Sequence, residues 1–237
     1  MSPPKGSAAG LRAVESGHMT PGLRVERGDP KPSLDPRCVM LAQPRSAQAR
    51  SFRLLRHQLL THSDPRVIVV TSAHNGEGKT TCAINLALCI AEETLADVLL
   101  LEANPGRPSL AQAFGLGTLR GYVGEASGEG DRAPERQILA PHGSRLHVGS
   151  ASACAQGNGG LDRLLLQVAL RELRQVYDYI VVDTASVLES ADADVACECA
   201  DGVLIAARAA QSRRGPLRRA VEQLHPAVIC GVVLLDA

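Results

Sequence analysis

The stretch Val67-Ile68-Val69-Val70-Thr71-Ser72-Ala73-His74-Asn75-Gly76-Glu77-Gly78-Lys79-Thr80-Thr81 decides the fold of this chain. Val67–Thr71 is a continuous apolar run, the pattern of a strand buried on both faces, and residues 79–92 carry a helical apolar pattern. A strand that turns through glycines into a helix collects backbone N–H groups and a helix N-terminus in one place, which suits a chain of phosphates. Gly76 and Gly78 let the backbone approach the phosphates, Lys79 reaches the β and γ oxygens, Thr80 ligates Mg²⁺ and Thr81 donates to the α-phosphate. Asn75, Gly76, Glu77, Gly78, Lys79, Thr80 and Thr81 are therefore the candidate nucleotide-binding residues. Ala73 stands where such loops usually open on a glycine.

Outward from this loop the same grammar repeats. Val98–Leu101, Ile180–Val182, Val203–Ala207 and Val228–Leu235 are further continuous apolar runs, with a shorter strand at Leu146–Val148. Helical patterns lie between them at 161–176 and 214–225. Ahead of the first strand, Phe52, Leu55 and Leu59 recur at helical spacing beside Arg50, Arg53 and Arg56, making a basic amphipathic helix over 47–60. Strand and helix in alternation predict an α/β fold with a doubly wound, mostly parallel sheet. Residues 117–143 read as a long surface loop, and Gly157-Asn158-Gly159-Gly160 as a hinge.

Composition narrows the function. The 237 residues are 45% hydrophobic, enough for one domain. Lys plus Arg and Asp plus Glu each number 25, so binding to nucleic acid through bulk charge is excluded, and 2% aromatics leave no base-stacking platform. Seven cysteines without a Cys-x-x-Cys pair read as reduced thiols rather than a zinc site. No apolar run reaches the roughly 18 residues of a membrane span, and the start of the chain has no apolar core of a signal peptide. A cytoplasmic protein, able to dock on a membrane protein, is expected. Residues 1–45, rich in Pro, Gly and Ser with seven basic against four acidic residues, read as a disordered basic arm; 46–237 form the nucleotide-binding domain.

Two acids complete the candidate site. Asp183 ends the run Ile180–Val182, and ligands of open α/β sheets sit beyond the carboxyl ends of strands, so Asp183 would face the Mg²⁺ of the loop. Glu102 ends the run Val98–Leu101 and precedes Asn104 and Arg107; a carboxylate there binds metal or polarises an attacking hydroxyl. The catalytic candidates are thus Lys79, Glu102 and Asp183, and the metal candidates Thr80, Glu102 and Asp183.

Three segments together, Thr71 to Thr81, Val98 to Leu110, and Tyr177-Asp178-Tyr179-Ile180-Val181-Val182-Asp183-Thr184, resemble the bacterial tyrosine kinases of capsule and exopolysaccharide synthesis, members of the ParA/MinD class of P-loop ATPases. The resemblance spans about residues 47–236. It implies ATP and Mg²⁺ as cofactors, Lys79 and Thr80 in the Walker A loop, Glu102 and Asn104 in the second acidic motif, Asp183 as the Walker B aspartate and Asp192 a few residues beyond it. It also implies homo-oligomers and a membrane polysaccharide co-polymerase, or chain-length regulator, as partner.

The departures are specific. His74 stands at the signature lysine of the partitioning proteins, which favours the kinase branch. Glu102 and Asn104 replace aspartates, Gly106 an arginine, and Ala185-Ser186 a proline pair. The helix that assembles the kinases keeps two arginines, Arg53 and Arg56, with Arg50 in place of its acid. Leu235-Asp236 replaces a purine-contacting asparagine. No tyrosine-rich tail follows; of Tyr122, Tyr177 and Tyr179, only Tyr122 reads as a phospho-site. Two functions stay open: an Mg·ATP-dependent protein-tyrosine kinase acting on a partner, or an ATP-gated scaffold of polysaccharide export without kinase activity.

Overall fold

A computed structural model describes residues 23–26, 35–93, 96–116, 119, 136–139, 145–151 and 159–236. Along the chain run β1 (Leu23–Glu26), α1 (Val39–Ala42), α2 (Ala47–His62), β2 (Val67–Ser72), α3 (Lys79–Glu93), β3 (Val98–Ala103), α4 (Leu110–Ala113) and β4 (Arg136–Leu139). They are followed by β5 (Leu146–Ser150), α5 (Arg163–Leu173), β6 (Tyr179–Thr184), α6 (Ala191–Glu198), β7 (Gly202–Arg208), α7 (Arg214–Gln223) and β8 (Ile229–Leu235).

Strands β5-β3-β6-β2-β7-β8 form a parallel sheet in that order. The α/β, doubly wound, mostly parallel architecture expected from the apolar runs is the one observed. At the β5 edge the sheet continues through β4, antiparallel to β5, and β1, parallel to β4. The composition gave no sign of either strand, since β1 falls in the basic arm and β4 in the stretch read as a loop. The rest of that stretch, with Tyr122, and Cys154 and the Gly157-Asn158 half of the hinge lie outside the described residues.

Continuous apolar runs are needed because each central strand feeds two cores. Val67, Val69, Leu99, Leu101, Ile180, Val182, Val203 and Ile205 pack with α5, α6 and α7; their neighbours Ile68, Val70, Val98, Leu100, Val181, Leu204 and Ala206 pack with α2, α3 and α4. β8 differs. As an edge strand it leaves Val232 and Leu234 exposed, so its apolar run covers one face only. Helix starts follow local chemistry: the side chains of Ser46, Asp162 and Ser190 cap α2, α5 and α6 by accepting N–H groups of Ala49, Leu165 and Asp192.

The segment 35–45, which composition assigns to the arm, is packed on the domain. Cys38 and Met40 are buried, and Asn85, wholly buried in α3, holds the segment in place. Its Oδ1 accepts the Met40 N–H (2.9 Å), while its Nδ2 donates to the Arg37 carbonyl (2.6 Å) and the Thr81 carbonyl (2.7 Å). A polar side chain inside an apolar helix is thereby satisfied, as burial demands.

Among the described residues every cysteine is a free thiol, and no three His, Cys, Asp or Glu side chains gather to hold a metal. Burial pushes the thiols of Cys82 and Cys197 up to about 12, so they stay protonated and inert. No helix among the described residues is long and apolar enough to cross a membrane.

Candidate functional site

The parallel order puts β2 beside β6, and β6 beside β3, so three candidate elements end at one edge. Val70 of β2 is in register with Asp183, and Asp183 in turn with Glu102 of β3. The chain leaves β2 through Ala73 and His74, turns at Gly76 (φ +83°) and Gly78 (φ +91°), and enters α3 at Lys79. Both glycines take a backbone conformation that a side chain resists. At Gly78 an added Cβ would also lie 2.4 Å from Leu235 Cδ1 at the end of β8, so that side chain would have to shift.

Asp183 is 1% exposed, and its Oδ1 has no hydrogen-bond partner among the described residues. Burial lifts its pKa to about 7, against the hydrogen bond from the Thr80 hydroxyl and the charge of Lys79; Glu102 adds to the rise. Lys79 is 7% exposed, its Nζ donating to Asn75 Oδ1 at 3.0 Å. Burial lowers its pKa, against the pull of Asp183 and Glu189. A buried carboxylate oxygen without a donor and a hydroxyl beside it are hard oxygen ligands of the kind that fit Mg²⁺.

Glu102 is tied down differently. Its Oε1 accepts the backbone N–H groups of Ser109 and, at 3.0 Å, of Leu110, at the start of α4. Burial raises its pKa while these two N–H groups lower it. Asn104 sits beyond it, its carbonyl accepting the Arg107 N–H at 3.1 Å. Asp192 is engaged elsewhere, accepting the Leu161 N–H at 2.7 Å.

Several contacts could not be read from the motif. Glu77 is 8% exposed; it accepts the His74 N–H at 2.8 Å and the Ser212 hydroxyl, tying the loop to the segment before α7. The turn after β6 runs alongside the loop, with Val187 N–H donating to Ser72 O (2.9 Å) and Leu188 N–H to Ala73 O (3.2 Å). This brings Glu189 onto the loop, where it accepts the Asn75 N–H (3.1 Å) and the Asn75 side-chain amide and pairs with His74 Nδ1 (3.0 Å). Ser186 Oγ donates to Asn75 Oδ1 at 2.9 Å.

No protein-family model matches the chain. It is 32% identical over 197 residues to the succinoglycan biosynthesis transport protein ExoP of Rhizobium meliloti, covering 79% of this chain and 24% of that one. It is 26% identical over 209 residues to the tyrosine-protein kinase YwqD of Bacillus subtilis, covering 85% of this chain and 84% of the relative. Among solved structures, the VpsO kinase domain superimposes with a TM-score of 0.66 at 27% identity, over 82% of this chain and 97% of that domain. In sequence and in fold the chain is similar to bacterial tyrosine kinases.

The fold is MinD-like as well: MinD of Aquifex aeolicus, in its MinC complex, superimposes with a TM-score of 0.57 at 24% identity, over 71% of this chain and 68% of that one. The chain spans about a quarter of ExoP. Of its family-type arginines on α2, Arg53 pairs with Glu92 of α3 at 2.8 Å, and Arg56 donates to the Cys89 carbonyl at 3.2 Å. Both therefore brace α2 against α3 within this chain. Tyr177 is buried edge-to-face on His147, with its hydroxyl 2.8 Å from Nδ1, and the Tyr179 hydroxyl donates to Asp64. Neither hydroxyl is presented as an acceptor of phosphate.

Proposed function

We propose that the chain binds Mg·ATP on the loop Asn75–Thr81 and transfers phosphate to a tyrosine of a partner protein. The observation that carries the nucleotide half is the buried, donorless Oδ1 of Asp183 beside Thr80 and Lys79. A carboxylate kept in that state costs on the order of 1–3 kcal/mol or more by desolvation unless a cation completes it. Thr80 and Asp183 would hold Mg²⁺, directly or through water, with Glu102 as the second acid. Bound there, the ion supplies charge neutralisation across the phosphate oxygens.

The chain's own residues do the rest. Gly76 and Gly78 let the loop backbone close on the phosphates, Thr81 donates to the α-phosphate, and Lys79 carries the positive charge to the β and γ oxygens. Glu102 is the carboxylate assigned to polarise the attacking hydroxyl. Its pKa, raised by burial, suits a proton acceptor, and the Ser109 and Leu110 amides fix its orientation. A polysaccharide-export membrane protein is the proposed partner, and the cytoplasm the proposed location. Support comes from the names of the relatives, a succinoglycan transport protein and a tyrosine-protein kinase.

A second reading rests on the same Glu102. An acid whose Oε1 is committed to two amides, followed by a neutral Asn104, suits a site that binds ATP and changes assembly state without phosphorylating protein. The test follows ADP and phosphotyrosine together, with Mg·ATP and a tyrosine-bearing fragment of a membrane partner. Both products support the kinase. ADP without phosphotyrosine leaves an ATPase, and bound ATP with neither product leaves the scaffold.

A further inference from the structure

Glu189 is the carboxylate of this site that neither motif nor metal accounts for. The three other acids of the site each have a use. Asp183 and Glu102 belong to the acidic set at the strand ends, and Glu77 spends its oxygens on the His74 N–H and the Ser212 hydroxyl. Glu189 instead reaches across from the turn before α6. Its Oε1 takes the Asn75 N–H and His74 Nδ1, and its Oε2 takes the Asn75 side-chain amide.

The consequence lies one link further on. With its Nδ2 turned to Glu189, Asn75 must aim Oδ1 the other way, onto Lys79 Nζ (3.0 Å) and Ser186 Oγ (2.9 Å). Asn75 Oδ1 thus gives Lys79 the oxygen that a phosphate would give it. Since the lysine of such a loop serves the β and γ phosphates, the side chain that backs this oxygen lies at the β/γ end of the cradle, not at the base end. Glu189 therefore sets a negative charge against the terminal charge of a bound polyphosphate.

Resting on the nucleotide-binding reading above, we propose that Glu189 is a specificity-determining residue that sets the preference between ATP and ADP by opposing the γ-phosphate. A triphosphate carries about one more negative charge than a diphosphate, and it carries it at that end. One charge at roughly 10 Å in an effective dielectric of about 20 corresponds to a change of the order of tenfold in affinity. ADP, shorter by one phosphate, feels the carboxylate less.

The experiment measures dissociation constants of Mg·ATP and Mg·ADP by isothermal titration at pH 8.5 for the unsubstituted chain, Glu189→Gln and Glu189→Asp. Gln keeps the length and removes the charge; Asp keeps the charge and shortens the side chain, loosening its hold on Asn75. The expected result is a shift of the ATP-to-ADP affinity ratio towards ATP of about tenfold in Glu189→Gln, shrinking in high salt, with little change of the ratio in Glu189→Asp. A purely structural clasp would move both nucleotides together and both variants alike, and that outcome overturns the proposal. An unchanged ratio in Glu189→Gln overturns it as well, while leaving nucleotide binding intact. If the unsubstituted chain binds neither nucleotide, the reading of the site falls, and this inference with it.

Discussion

Replacing Asp183 by Asn makes the empty protein more stable at high pH, and the amount follows from the burial of this one carboxyl. Its pKa rises from an ordinary 3.8 to about 7 in the folded chain. Below pH 3.8 both folded and unfolded states hold the proton, and the group is neutral in the balance. Between 3.8 and 7 the folded state holds a proton that the unfolded state has released, so stability falls as pH rises; above 7 both are ionised and the loss is complete. At about 1.4 kcal/mol per pH unit the full loss is about 4 kcal/mol, of which about 2–3 kcal/mol falls between pH 5 and pH 8. Asn copies the shape of the protonated acid and does not titrate. Urea unfolding in EDTA at pH 5 and 8 should therefore show an advantage of Asp183→Asn that grows by about 2–3 kcal/mol across that interval. Mg·ATP should then raise the melting temperature of the unsubstituted chain and not that of the variant. Unfolding curves that stay parallel in pH would refute the claim that a charged Asp183 is held there with one oxygen unsatisfied, and with it the argument for a cation site.

Other consequences are simpler to state. Lys79→Ala abolishes nucleotide-dependent behaviour, and unchanged ATP affinity in a fluorescence titration would count against the site itself. Gly78→Ala meets Leu235 Cδ1 and a φ of +91° together; it costs about 1–3 kcal/mol in thermal unfolding, and Leu235→Ala in the same chain recovers only the part due to contact. Glu102→Asp draws the carboxylate back from the Ser109 and Leu110 amides; a loss of about 1–2 kcal/mol in urea unfolding checks it. Asn85→Ala strips partners from the Met40 N–H and the Arg37 carbonyl, costing about 2–3 kcal/mol and opening residues 35–45 to earlier cleavage in limited proteolysis.

The legible part of the fold is the part that repeats a local rule. Val67–Val70, Leu99–Leu101 and Val203–Ala206 must be apolar at every position because a central parallel strand is covered on both faces, and no neighbour is needed to see that. Where the rule weakens, so does the reading. β8 carries the same run but lies at an edge with Leu234 exposed, and the packed segment 35–45 is short, Pro-containing and without period. Its anchor, Asn85, looks in the sequence like a flaw in an apolar helix, since only the partner side of a hydrogen bond tells a defect from a dock.

The site divides in the same way. The loop Asn75–Thr81 and the strand-end Asp183 are legible in the sequence itself, because Gly76, Gly78 and Lys79 stand together in one local pattern and Asp183 directly ends an apolar run. What the tertiary structure alone decided is which groups face them. Glu189 lies 114 residues from Asn75 in sequence yet accepts its N–H, and Glu102 meets Asp183 because β6 inserts between β3 and β2. Such contacts arise from the crossover order of the sheet and the path of one turn. No local spacing encodes these, so the charge that surrounds Lys79 became visible only in the folded chain.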